Sequence, residues 1–160
     1  MEEYRVTKYD PALRGPNGEF QGDDWISFNQ IGKSFHGIVL TAQEYKRVED
    51  AYIKVALAFL SEGGIKALKV AGLENARQHP LAFGEESVLT LEQLPDVIEP
   101  ILREDFWCRL EAENGFLHFG WDYYMYIGVP RPCRGAEQIA SELGLYVEEF
   151  VSPCHEDAAS

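Results

Sequence analysis

Residues 106–127 read Phe-Trp-Cys-Arg-Leu-Glu-Ala-Glu-Asn-Gly-Phe-Leu-His-Phe-Gly-Trp-Asp-Tyr-Tyr-Met-Tyr-Ile, and their interpretation decides the fold. Phe106, Cys108 and Leu110 alternate with Trp107, Arg109 and Glu111. That period of two marks a strand with one buried face. Glu113-Asn114-Gly115 follows, and Asn-Gly accepts the positive φ angles of a primed hairpin turn. A second strand is therefore predicted from Phe116 onward, with Leu117, Phe119 and Trp121 on one face and Phe116, His118 and Gly120 on the other. Gly120 predicts a bulge or bend. Beyond it Tyr123, Met125 and Ile127 face one way, and Asp122, Tyr124 and Tyr126 the other. Two prolines, Pro130 and Pro132, end the run because neither can donate to a ladder. Large rings on both faces predict a central pair of strands. One face packs on helices, and the other is a second core layer or a binding surface.

On the N-terminal side, Tyr4 to Tyr9 alternates as a first strand, and Asp10-Pro11 ends it. Residues 10–24 are rich in Gly, Pro, Asn and Asp and predict a long loop. Asp23 or Asp24 is expected to cap a short helix through Trp25, Phe28 and Ile31. Residues 35–40 read as a loop or short strand. Thr41-Ala42-Gln43-Glu44 has the form of a capping box. Behind it Tyr45, Val48, Tyr52, Val55 and Phe59 form one apolar stripe, and Gly63-Gly64 closes the helix. Ile65 to Val70 is a second strand. Thr90 to Gln93 offers another box for a helix through Leu102, interrupted by Pro95 and Pro100. Gly135–Leu143 reads as a last helix with Ile139, Ala140 and Leu143 inward, and Leu145–Val151 as a last strand. That strand could run parallel to the second hairpin strand through a crossover, or serve as an edge for oligomerisation. The expectation is an α+β fold: one domain over residues 1–153, with a mixed, mainly antiparallel sheet, a central aromatic hairpin and three or four packed helices. A polar tail follows at 154–160.

The 160 residues carry 14 Lys and Arg against 27 Asp and Glu, a net charge of −13. The deficit is uneven. Residues 1–84 hold 10 basic and 11 acidic side chains, and residues 85–160 hold 4 and 16, so −12 falls in the second half. Such a field repels phosphate backbones and anionic membranes and attracts basic proteins. Direct nucleic-acid binding and membrane association are thereby disfavoured. No apolar run reaches spanning length, and Met1-Glu2-Glu3 is no signal peptide, so a cytoplasmic location is expected. Three cysteines without CxxC spacing, Cys108, Cys133 and Cys154, read as free thiols.

No nucleotide, hydrolase or metalloprotease motif is present, and no cofactor is expected. His118 and Asp122, four apart in a strand, would point to one side, with Glu111 near across the hairpin and Tyr124 beside them. A pocket lined by His118, Asp122 and Tyr124 is the alternative site, for a small ligand or a hydrolytic reaction. A structural role for that histidine is the plainer reading. Cys133, Cys154 and His155 lack the fourth ligand and spacing of a zinc site, so no metal is expected.

Trp107-Cys108, the run His118–Gly128, Gly144–Glu148 and Ser152-Pro153 resemble a group of small bacterial proteins with no assigned activity. The opening Tyr4–Tyr9 and Trp25-Ile26-Ser27 extend that resemblance over nearly the whole chain. In size, acidity and mixed character the chain is also similar to immunity proteins of bacterial toxin systems. That resemblance implies a basic protein partner, such as a nuclease toxin, and carries no site residues with it. The binding residues expected from the sequence itself are Trp121, Asp122, Tyr124, Tyr126, Glu111 and Glu113, an aromatic patch beside carboxylates. Oligomeric state is left open.

Overall fold

The computed structural model describes residues 1–155. In chain order the elements are β1 (Glu2–Thr7), β2 (Ser34–Phe35), β3 (Ile38–Val39), α1 (Ala42–Glu62), β4 (Ala67–Glu74) and β5 (Val88–Thr90). They continue with α2 (Leu94–Leu102), β6 (Trp107–Ala112), β7 (Gly115–Phe119), β8 (Met125–Val129), α3 (Arg134–Glu142) and β9 (Tyr146–Glu149). Seven strands form one sheet in the order β5-β4-β6-β7-β8-β1-β9, and β2-β3 is a separate small hairpin. Every neighbouring pair is antiparallel. With three α-helices this is the α+β fold expected, and β6-β7-β8 lies at the centre of the main sheet.

Cross-strand register fixes the faces. Val70, Leu110, Leu117, Ile127 and Tyr4 lie in one row across five strands, with Phe119, Met125 and Val6 in the next. All join one core with Tyr45, Tyr52, Val55 and Phe59 of α1 and Leu94, Ile98 and Ile101 of α2. Burying each large apolar side chain contributes about 1.5–3 kcal/mol. Thr41 Oγ1 accepts the amide of Glu44 at 3.0 Å and starts α1. The Glu44 carboxylate binds Arg47, so one half of the capping box forms.

Four expectations need correction. First, the predicted long strand 116–127 is two strands, β7 and β8, folded back on each other around residues 120–124. Second, β9 runs parallel to β8 but does not pair with it, because β1 lies between them and bonds both. Third, Asp23 and Asp24 cap no helix. Asp23 accepts the His36 amide, Asp24 pairs with Lys8, and only a 3₁₀ turn capped by Ser27 forms at Phe28–Gln30. Fourth, α3 turns Ala136 and Ala140 inward while Ile139 is exposed, so the helix sits close against α1 through small residues.

Cys154 and His155 also belong to the body: Cys154 Sγ approaches Phe119 O at 3.7 Å, and His155 Nε2 lies 2.7 Å from Glu3 Oε1. The rest of the expected tail, residues 156–160, lies outside the described residues. No helix among the described residues is long and apolar enough to cross a membrane.

Candidate functional site

The primed turn forms in a different place from the one predicted. Glu113 and Asn114 join the paired residues Ala112 and Gly115 without either taking a positive φ. Gly115 is needed for close approach instead, since a Cβ there would meet Ile65 Cδ1 at 2.1 Å and Gly128 O at 2.6 Å. The left-handed pair is Asp122 (φ 62°) and Tyr123 (φ 69°), in the β7–β8 connection. Neither is glycine, and each such residue is strained by about 1 kcal/mol or more.

Tertiary contacts hold that strain. Tyr9 Oη donates to Asp122 O at 2.6 Å, and Tyr52 Oη donates to Tyr123 O at 2.7 Å. The Tyr45 hydroxyl bonds both the Tyr123 hydroxyl and Glu49 Oε2, while Trp25 packs edge-on against Tyr123 at 5.0 Å. Three tyrosines from β1's continuation and α1 thus grip a turn that local propensity disfavours. The turn presents Trp121, which is 72 % exposed while most other rings of 106–127 are enclosed.

Two clefts share Trp121, Gly120, Trp107 and Glu74 as walls. One, of about 170 Å³, reaches Glu104, Asp105 and Arg77. The other, of about 380 Å³, reaches Tyr126, Pro153 and Cys154. Glu104 takes a left-handed conformation (φ 64°) just past the end of α2, a geometry that turns the chain sharply toward β6. Among the described residues Arg77 is the one cation in the lining of either cleft, and the other nearby cations are committed elsewhere. Arg103 makes a two-pronged bond to buried Glu49 at 2.8 and 3.0 Å, and Arg109 lies 3.4 Å from Glu111. The site is therefore an exposed indole between two grooves with an acidic rim, suited to a cationic and partly apolar surface.

The residues expected from the sequence do not form one patch. Trp121 and Asp122 are exposed on the turn, and Tyr126 lines the larger cleft although it is mostly buried. Tyr124 is half-buried and its hydroxyl accepts from Arg14 at 2.9 Å. Glu111 is tied to His118 and Arg109, and Glu113 sits at the far end of β7. At ~3.3 Å per strand residue, that end is about 20 Å from Trp121. Glu74, Trp107, Glu104 and Asp105, which line the two clefts, were not among the residues expected from the sequence, and neither were the tyrosines that hold the turn. Only the aromatic character of Trp107 signalled anything in advance, because the others are brought in by other strands and helix ends.

The alternative pocket of His118, Asp122 and Tyr124 is not assembled, because the chain reverses between His118 and Asp122. His118 is fully enclosed on the sheet face opposite α1. Its Nδ1 lies 2.7 Å from Ser152 Oγ and its Nε2 2.9 Å from Glu111 Oε1. This Ser–His–Glu chain has the composition of a hydrolytic relay. Ser152 is 3 % exposed, and its oxygen also accepts the Cys154 amide at 3.1 Å, so no substrate can reach it in this arrangement. The relay acts as a clamp that fastens residues 150–155 over the sheet. Phe116 stacks on the His118 ring at 4.2 Å and covers Gly128, where a Cβ would stand 2.2 Å from the ring.

Among the described residues no three His, Cys, Asp or Glu side chains are grouped to hold a metal ion. Burial pushes the Cys108 thiol up to about 12, as befits a small core side chain. Comparison with family models, curated proteins and solved structures returned no match.

Proposed function

We propose that this chain is an acidic protein-binding protein whose partner is basic, and that it acts as an immunity-type inhibitor of a basic toxin such as a nuclease. The observation that carries the reading is Trp121: an indole held in solvent by a strained, tyrosine-braced turn, between clefts edged by Glu74, Glu104 and Asp105. Backbone strain persists only where surrounding structure over-determines it, and it concentrates at working surfaces. Trp is also the side chain most often found to dominate an interface. The −12 charge of residues 85–160 would steer a positive partner from a distance and would act in a cytoplasmic setting.

The test is affinity capture from the native host with wild type and Trp121→Ala, followed by mass spectrometry and an activity assay of whatever is captured. A basic protein should be retained by wild type, released by salt, lost with Trp121→Ala, and inhibited in its own activity by the purified chain. Capture that ignores both salt and Trp121 would refute the proposal.

A further inference from the structure

A second site lies on the N-terminal side of the molecule. Between the 10–25 loop, the β2–β3 hairpin and the start of α1 is a cavity of about 350 Å³. Its walls are mainly apolar, with Phe20, Trp25, Phe35 and Ile38 prominent, and Ile38 is 72 % exposed at the lip. Lys8 also lines it, although the Lys8 side chain is only 6 % exposed. A buried ammonium has three donors to satisfy. Nζ lies 2.8 Å from Asp24 Oδ2 and rests over the Trp25 and Tyr9 rings at 4.0 and 4.4 Å. Asp24 is the one acceptor beside it among the described residues, and its angle to Nζ is poor for a hydrogen bond. The donors that do not face Asp24 are open to an acceptor from outside the chain.

The rim selects the charge of that acceptor. Lys8 and Asp24 cancel, as do Glu44 and Arg47. Asp10 and Asp23 line the same cavity and make no ion pair among the described residues. An anion would meet those two carboxylates, and a cation would offer Lys8 Nζ no acceptor. We infer that this cavity is a binding site for a small, neutral, largely apolar molecule bearing a carbonyl-type oxygen, which Lys8 Nζ holds as hydrogen-bond donor while the aromatic walls enclose the body. The volume suits a two-ring compound. Burial holds Lys8 down to about 8, consistent with an amine kept from water.

Prodan, a neutral naphthyl ketone whose emission moves to the blue in apolar surroundings, is the probe. Titrated with the full chain it should give a saturable blue shift. Lys8→Met, which keeps the apolar volume and removes the donors, should weaken binding at least about tenfold. Ile38→Asp, at an exposed lip position outside the main core, should weaken it as well and decides the matter if Lys8→Met fails to fold. Trp121→Ala should leave binding unchanged, which separates this site from the partner surface. No saturable shift, equal binding by either pocket variant, or tighter binding of the anionic naphthalene sulfonate ANS would overturn the inference.

Discussion

Tyr9 Oη lies 2.6 Å from the carbonyl oxygen of Asp122, across 113 residues of chain. That bond joins the segment just beyond β1 to the turn that displays Trp121. Tyr9 is 1 % exposed while Asp122 lies at the surface, so the bond ties an exposed turn to a buried ring. The consequence is a surface side chain whose position is set from the interior.

Tyr9→Phe removes the donor and keeps the ring. It removes the bond that holds a left-handed residue in place, and stability should fall by about 1 kcal/mol. The loss should be accompanied by faster motion of Trp121, read as lower fluorescence anisotropy in a variant retaining that tryptophan alone, and by weaker capture of the partner. A stability loss with unchanged Trp121 motion would show that Tyr9 serves the core alone.

Much of the fold was legible because its signals are local. The 41–62 helix follows from its Thr41 cap and a stripe at three- and four-residue spacing, and β6 follows from strict alternation. The 120–124 turn was not legible. Tyr123-Tyr124-Met125 has strand propensity, and Asn114-Gly115 carries the stronger turn signal. What reverses the chain at Asp122 is a set of hydroxyls from residues 9, 45 and 52, which no local window contains. The same holds for His118, whose partner Ser152 is 34 residues away, and for β1, which inserts between β8 and β9 from the other end of the chain. At the candidate surface the sequence singled out Trp121, and the structure leaves its indole exposed. Its acidic neighbours Glu74 and Glu104 were not singled out.

Glu49 is fully buried in α1 and accepts from Arg103, Tyr45 and Lys46. Burial pushes its carboxyl up, but the Arg103, Tyr45 and Lys46 bonds outweigh this and hold it below the usual carboxylate range. Glu49→Gln removes the buried partner of Arg103 and leaves it, among the described residues, only Glu99 at 3.5 Å, and should lower stability by about 3 kcal/mol at neutral pH. A carboxyl held low contributes stability above its unfolded pKa, and that contribution is lost as pH falls through the folded value. Wild-type and Glu49→Gln melting curves should therefore converge in acid. Parallel curves down to the acid transition would exclude this role.

The Ser152–His118–Glu111 clamp predicts a local effect. His118→Ala should cost about 3 kcal/mol and speed hydrogen exchange in residues 150–155 while leaving the 120–124 turn protected. Ser152→Ala should do the same more weakly. The double variant should fall short of the sum, because both changes break one bond. Additive losses would mean that the two side chains act separately.

Alkaline pH separates Lys8 from the tyrosines. Lys8 is held down to about 8 by burial, against an ordinary 10.5, with Asp24 opposing. The unfolded chain therefore binds more protons than the folded one between those values, and stability rises with pH there. The Lys8 contribution to that rise should reach about 2 kcal/mol from pH 8 to pH 10, opposed above about pH 9 by the Cys108 thiol, which burial pushes up to about 12. Burial raises the Tyr9 and Tyr52 hydroxyls above their ordinary value, so above about pH 10 the unfolded chain loses protons that the folded chain keeps, and stability falls. Denaturant midpoints should pass through a maximum between the two limbs. Lys8→Met should erase the rising limb and keep the falling one. A maximum that survives in Lys8→Met would assign it to other groups and remove the evidence for a desolvated amine at the cavity.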